Sequence, residues 1–326
     1  MSNPLQSELR AIYNSLLENS ESDSYCAQTV PGFSWARVAT KGTCVALITP
    51  YAEDMALYNV ELEHIKVLFN LQVKIQSDTG SRVERVSIIE CKHSDTWLVD
   101  TFLELAAMVL MSIDVDKPIG VNNFLRDLLN LFRALNQPSG KSIQGLWGEL
   151  FVIFESQNPS EGIMSWHTAP NDRYDFARVD ERIEVKTTTG IRRHAFAHEQ
   201  LAPLANLKVT IASLVLNQND DGMSCADMIS KLIVRIDEPD IRNLLINKCV
   251  KTLGTDWKNQ NLVKFDVENA RNDLKWYDVE VIPRISTTIP RDVHAVKYSS
   301  DLQTTVELTT DELAQRGSLL NFLTKS

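Results

Sequence analysis

The stretch Ile183-Glu184-Val185-Lys186-Thr187-Thr188-Thr189 limits what this chain can fold into more than any other. Read as a strand, it sends Glu184 and Lys186 to one face and Ile183 and Val185 to the other, because side chains alternate. Tyr174-Asp175-Phe176 lies just upstream, and the gap to Glu184 holds one turn, around Val179-Asp180-Glu181, and two short antiparallel strands. Such a hairpin sets Asp175 beside Glu184, with Lys186 one step further along. Two carboxylates and a lysine on one sheet edge suit a hard divalent cation and an attacking water. Ahead of both runs Gly145-Leu146-Trp147-Gly148-Glu149-Leu150-Phe151-Val152-Ile153-Phe154, an apolar helix with one carboxylate inside it. A buried, unpaired carboxylate is unfavourable without a cation or hydrogen bonds. Glu149 therefore either faces water on a thin polar side or joins the same site.

The ordered set of helix Glu149, then Asp175, then Glu184-x-Lys186, then Gln200 resembles the PD-(D/E)XK nuclease superfamily. More narrowly, the Gly-Leu-Trp-Gly-Glu-Leu helix, Asp175-Phe176, the Glu-Val-Lys-Thr-Thr-Thr strand, Arg193-His194 and Gln200-Leu201 are similar to its members from prokaryotic restriction and phage-defence loci. The likeness runs over roughly Ser142 to Leu216, and Tyr174 stands where the superfamily's motif has Pro. It implies an α/β (α+β) fold: a restriction-endonuclease-like core with a central mixed sheet flanked by helices. It also implies a metal-dependent DNA endonuclease. In that role Asp175, Glu184, Glu149 and the carbonyl of Val185 hold Mg²⁺, or Mn²⁺ in its place, and Lys186 orients or activates the water. Gln200 then packs near the metal and the nucleic-acid backbone. Arg192, Arg193 and His194 follow the bend that Gly190 allows; they suit phosphate contact, or equally a solvated turn. The resemblance leaves room for ATPase or methyltransferase partner subunits and for a homodimer. A different class of function stays open, a non-catalytic structural or specificity subunit that binds DNA or protein, because fold alone does not fix function.

At 326 residues the chain exceeds one typical domain. Asn136-Gln137-Pro138-Ser139-Gly140 clusters breakers and polar residues and marks the division. Residues 1–136 form a β-rich N-terminal domain with two linking helices, and residues 137–326 the nuclease-like core with a C-terminal extension. In the first part a helix is expected over Leu5–Leu17 and a hairpin around Lys41-Gly42. Strands over Tyr58–Gln76 and Val83–Cys91 flank a turn at Asp78-Thr79-Gly80, and the two helices are separated at Pro118-Ile119-Gly120. In the second, a strand is expected over Lys208–Leu216, a turn over Asn217–Gly222, helices over Ser224–Val234 and Pro239–Leu253, and a strand over Leu274–Ile285. Thr309-Thr310-Asp311-Glu312 reads as a capping box for a last helix.

Thirty-three Lys and Arg against 43 Asp and Glu leave a net charge of -10, which argues against non-specific coating of nucleic acid. Five scattered cysteines without a Cys-x-x-Cys pair fit reduced thiols. Met1–Glu18 lacks the basic-then-apolar block of a secretory signal. Trp97–Ile113 carries Asp100 and Glu104 and is too short for a bilayer. The expectation is a cytoplasmic protein with no membrane partner. Two look-alikes are set aside. Glu90-Cys91-Lys92 repeats Glu-x-Lys without a carboxylate-bearing helix before it. Gly140-Lys141-Ser142 imitates the end of a P-loop, but Leu135 occupies the position of its first Gly.

Overall fold

Leu9, Ile12 and Tyr13 form the buried stripe of the first helix, α1 (Pro4–Leu17), at the spacing expected of an amphipathic helix. The computed structural model describes residues 4–20, 22–51, 58–77, 80–113, 119–167, 172–202, 207–316 and 319. The turn expected at Asp78-Thr79 and the break at Pro118 lie outside them. Two compact units divide the chain, Met1–Gln137 and Pro138–Ser326.

In the first unit, β1 (Tyr25–Val30), β2 (Phe33–Lys41), β3 (Cys44–Pro50), β4 (Val60–Glu61), β5 (Ile65–Ser77) and β6 (Gly80–Cys91) form one sheet in the order β1-β2-β3-β6-β5-β4. Tyr25 and Cys26 of β1 also pair in parallel with Ile75 and Gln76 of β5, so the sheet closes on itself over a short stretch, with the two-residue β4 left at the margin. The β2–β3 turn needs Gly42, whose φ of 57° is left-handed backbone that a side chain would strain. Helices α2 (Thr96–Ser112) and α3 (Ile119–Leu135) follow. The set-aside Glu-x-Lys is accounted for locally. Glu90 accepts from the Tyr25 hydroxyl at 2.8 Å, and Lys92 pairs with Glu61 at 2.8 Å.

The second unit is built on helix α4 (Ile143–Glu155) and the hairpin behind it. Ser142 starts the helix, its Oγ accepting the Gly145 N–H at 3.1 Å. After α4 come α5 (Pro159–Ser165), β7 (Phe176–Arg178), β8 (Glu181–Thr188), β9 (Arg193–Ala197), α6 (His198–Leu201), β10 (Lys208–Val215) and β11 (Gln218–Met223). Then follow α7 (Cys225–Arg235), α8 (Pro239–Leu253), α9 (Val267–Asp273), β12 (Lys275–Asp278), β13 (Lys297–Asp301) and α10 (Thr310–Ala314). The central sheet runs β12-β10-β8-β7, with β8 and β10 parallel in the middle and antiparallel strands at both edges. A mixed α/β architecture results. Of the middle strands, β10 carries buried apolar residues on both faces, Val209 and Ile211 on one and Ala212 and Leu214 on the other, whereas β8 buries Ile183 and Val185 on one face and turns Glu184 and Lys186 to the other.

Gly148 lets α4 lie against β8. A Cβ at that position would sit 2.2 Å from Thr187 Cγ2, so any larger residue would push the helix off the strand. On another side of α4, Trp147 stacks on Phe151 at 5.1 Å, and its indole N–H donates to the Met223 carbonyl at 2.7 Å. The helix is thereby fixed in rotation, which decides where Glu149 points.

Two sequence expectations differ from the fold. Asn217–Gly222 is not a plain turn. Most of it is strand β11, drawn into pairing by Phe265, which bridges Gln218 and Met223, and Gly222 is needed because a Cβ would meet the Phe265 carbonyl oxygen at 2.4 Å. The strand expected over Leu274–Ile285 stops at Asp278, whose carboxylate accepts from the Glu280 N–H at 2.8 Å and starts a short 3₁₀ turn instead. The final helix is capped as expected, with Thr309 and Glu312 bonding reciprocally. Among the described residues, no helix is long and apolar enough to cross a membrane.

Candidate functional site

The β7–β8 hairpin turns at Val179, whose φ is 46°, and its last registered pair is Phe176 with Ile183. One step further along the same register, Asp175 stands next to Glu184. Asp175 is held from both sides. Its backbone carbonyl accepts the His167 N–H at 2.7 Å, and its Oδ2 accepts the Val185 N–H at 2.8 Å. Glu149 arrives from α4. The three carboxylate residues are all buried, at 3% exposure for Glu149, 7% for Asp175 and 4% for Glu184.

Three buried carboxylates need compensating charge, and two lysines supply it. The Lys141 ammonium lies 2.6 Å from Glu149 Oε1 and 2.6 Å from Asp175 Oδ1. Lys186 Nζ lies 2.6 Å from Glu184 Oε1 and donates to Gln200 Oε1 at 3.3 Å, with its charge over the Phe196 ring. Glu149 Oε2 accepts the indole N–H of Trp166 at 2.7 Å. One oxygen is left over. Among the described residues, Glu184 Oε2 is buried and has no hydrogen-bond partner.

The electrostatics record the crowding. Burial pushes the Glu149 carboxyl well above the usual range, Asp175 adds to this, and Lys141 and Trp166 oppose it. Burial, followed by Asp175, likewise raises Glu184, against the pull of Lys186. Burial works to lower the Lys141 ammonium, but Glu149 and Asp175 more than reverse it and hold it charged. These opposed shifts show that Glu149, Glu184 and Lys141 act on one another through Asp175. Among the described residues, no three His, Cys, Asp or Glu side chains form a ready metal cage, for the ammonium groups stand between the carboxylates. The donor set still fits a hard divalent cation. It offers carboxylate oxygens at the strand edge, one of them orphaned, in a place where negative charge is in excess.

The residues expected at the nucleic acid divide. Gln200 is in the cluster, where its Oε1 accepts from Lys186 and from the Ala197 N–H at 3.1 Å and its Nε2 donates to the Arg173 carbonyl at 3.0 Å. Arg192 does not present itself for phosphate contact. It is 7% exposed and donates to the Ser213 carbonyl and Oγ, both at 2.8 Å, and to Asp273 Oδ2 at 2.6 Å. His194 is also turned inward, its Nε2 2.7 Å from Ser213 Oγ. The reason is strand β9, which begins at Arg193, pairs with β13 and alternates, so that His194 and Phe196 face the core while Arg193 and Ala195 face out. Arg193 alone of the three is exposed, beside Asp301 at 3.0 Å.

Lys141, which the sequence presents only within a P-loop look-alike, and Trp166 join the site in the fold. Lys141 lies eight residues before Glu149, across the break of the helix cap, and no helical or strand spacing links them. The available signal was chemical: a carboxylate inside an apolar helix demands a cation, and Lys141 is the nearest lysine upstream. Gln144 escaped notice. Its amide donates to Thr187 Oγ1 at 3.2 Å and ties the first turn of α4 to β8.

His194 makes a pH-dependent contribution. Burial, then Arg192 and Lys186, lower its pKa from 6.5 to about 4. The folded unit thus keeps a neutral imidazole where the unfolded chain takes up a proton. The associated stability is complete above pH 6.5 and is lost as pH falls toward 4, with an upper bound of roughly 3 kcal/mol. The raised Glu149 and Glu184 act in the opposite sense, gaining stability as pH falls. The expected result is a melting-temperature profile for His194→Gln that falls less steeply than wild type between pH 6.5 and 4; parallel profiles would remove His194 as the cause.

The second unit is thus a mixed-sheet α/β unit whose hairpin brings Asp175 and Glu184-x-Lys186 together beside the helix residue Glu149. Residues 10–303 match the family model described as "Putative PD-(D/E)XK family member, (DUF4420)", and the chain belongs to that family. No curated protein and no solved structure matches it.

Proposed function

We propose that the second unit is a restriction-endonuclease-like core and that the protein is a metal-dependent DNA endonuclease. The supporting observation is the buried cluster of Asp175, Glu184 and Lys186 on one hairpin with Glu149 opposite, in which Glu184 Oε2 lacks a partner. Asp175, Glu184 and the Val185 carbonyl would hold Mg²⁺ or Mn²⁺, with Glu149 anchoring from the helix side. Such a cation supplies positive charge to a phosphodiester and acidity to a water.

The chain's own groups do the rest. Lys186, fixed by Glu184, Gln200 and the Phe196 ring, presents a preorganised positive charge where a phosphate oxygen gains negative charge in the transition state. Burial of the carboxylates keeps bulk water from screening that charge. Trp166 fixes the Glu149 carboxylate through one oxygen and leaves the other directed at the Asp175 side. Arg193 is the basic residue of the Arg192-Arg193-His194 stretch available to the DNA backbone. With a net charge of -10, DNA affinity is modest and falls as salt rises. The family resemblance further supports a role as the nuclease of a cytoplasmic restriction or phage-defence system, working with ATPase or methyltransferase subunits or as a homodimer.

One observation favours the other reading, a non-catalytic subunit that binds DNA or protein. Lys141 already neutralises Glu149 and Asp175 without a metal. Calorimetric titration with Mn²⁺ and plasmid nicking in the same buffer decide between the two. Nuclease function requires Mn²⁺ binding by wild type and its loss in Asp175→Asn. No Mn²⁺ binding, or binding indifferent to Asp175, hands the site to the non-catalytic reading.

A further inference from the structure

Every oxygen of Glu149 and Asp175 already has a donor. Glu149 Oε1 and Asp175 Oδ1 share the Lys141 ammonium at 2.6 Å each, Glu149 Oε2 takes the Trp166 indole N–H at 2.7 Å, and Asp175 Oδ2 takes the Val185 N–H at 2.8 Å. Glu184 differs, since Oε1 pairs with Lys186 and Oε2 has no partner and is buried. The cluster is therefore lopsided. Its Glu149 side is closed by a protein cation, and its Glu184 side holds an unanswered acceptor.

We propose that Lys141 is the resident second cation of this site, standing between Glu149 and Asp175 where a two-ion centre would hold its second divalent ion, so that the protein takes one divalent ion on the Glu184 side. This rests on the nuclease reading above and adds its metal stoichiometry. An ammonium held by one oxygen from each of two carboxylates neutralises the same anionic oxygens that would otherwise call for a divalent ion. The placement of Lys141 is built rather than incidental. Its carbonyl accepts from Ser139 Oγ at 2.6 Å, and the next residue, Ser142, caps α4, which fixes the lysine backbone at the start of the helix that carries Glu149. Charge balance points the same way. With all three carboxylates ionised, the ammoniums of Lys141 and Lys186 leave one negative charge, which a single divalent ion reverses to one positive. A second divalent ion would raise that to three positive charges in a buried site, and repulsion at such short range opposes it.

The test counts ions. Mn²⁺ bound to the full-length protein is measured by calorimetry and by the loss of the free-ion electron paramagnetic resonance signal, for wild type, Lys141→Met, Lys141→Arg and Asp175→Asn. One ion is expected for wild type and for Lys141→Arg, two for Lys141→Met, and none for Asp175→Asn. Two ions in wild type, or one ion in a folded Lys141→Met, overturns the proposal. If Lys141→Met fails a circular-dichroism check of folding, Lys141→Gln takes its place, since it keeps a polar donor at this position while removing the charge; two ions support the proposal and one overturns it. No ion in wild type, or a count unchanged in Asp175→Asn, is a different failure, because it removes the nuclease reading itself.

Discussion

Mn²⁺-supported plasmid nicking should fall by roughly a thousandfold or more in Asp175→Ala and in Glu184→Ala, about 4 kcal/mol of barrier. Both carboxylates lie on the same hairpin, where the proposed ion would sit. Asp175 is the more demanding of the two. Its Oδ2 also takes the Val185 N–H and its Oδ1 holds Lys141, so the alanine leaves a buried donor unmatched and leaves Lys141 with Glu149 as its one carboxylate partner. Asp175→Asn, which keeps the hydrogen-bonding shape, separates that structural loss from the loss of the ion. Lys186→Ala should leave Mn²⁺ affinity nearly unchanged while slowing nicking by about a hundred- to a thousandfold, the usual range for removing one preorganised donor from a transition-state site. The experiment needs any partner subunits present. If the complex nicks DNA and Asp175→Ala with Lys186→Ala nicks it equally well, catalysis resides elsewhere.

The second large effect is on folding. Arg192→Ala should destabilise the Pro138–Ser326 unit by roughly 3 kcal/mol, near the lower end for breaking a buried pair because Asp273 is partly exposed. That corresponds to a fall in melting temperature of about 6–12 °C for a unit of this size. The guanidinium joins three elements at once. It meets the Ser213 carbonyl and hydroxyl on β10 and both the backbone carbonyl and carboxylate of Asp273 at the end of α9, from its own place beside β9. Asp273 in turn accepts the Val215 N–H at 2.6 Å, so losing Arg192 leaves a carboxylate without its cation. Arg193→Ala makes the contrast. Its ion pair with Asp301 lies at the surface, so the melting temperature should stay close to that of wild type, as for most surface changes, while the salt dependence of DNA binding weakens slightly. Equal melting temperatures for Arg192→Ala and wild type would return Arg192 to the list of surface contacts.

Period-two alternation and the number of residues between Asp175 and Glu184 were enough to bring Asp175, Glu184 and Lys186 together. Both are local properties, and a hairpin's register follows from its turn and strand lengths. The same holds for α8 (Pro239–Leu253) and the Thr309 box, whose signals lie within the elements themselves. Glu149 stood at an intermediate level. Its burial inside an apolar helix demanded a compensating partner, but the identity of that partner depended on the rotation of α4, which Gly148 against Thr187 and Trp147 against Met223 set. Lys141, Trp166 and the inward turn of Arg192 and His194 were decided by tertiary structure alone. Each depends on a contact across a helix cap or between elements distant in sequence, such as β9 with β13, where no spacing rule operates. A basic residue following a glycine bend reads the same whether it meets solvent or a buried carboxylate. The position of Asp273, 81 residues away, determines which it is.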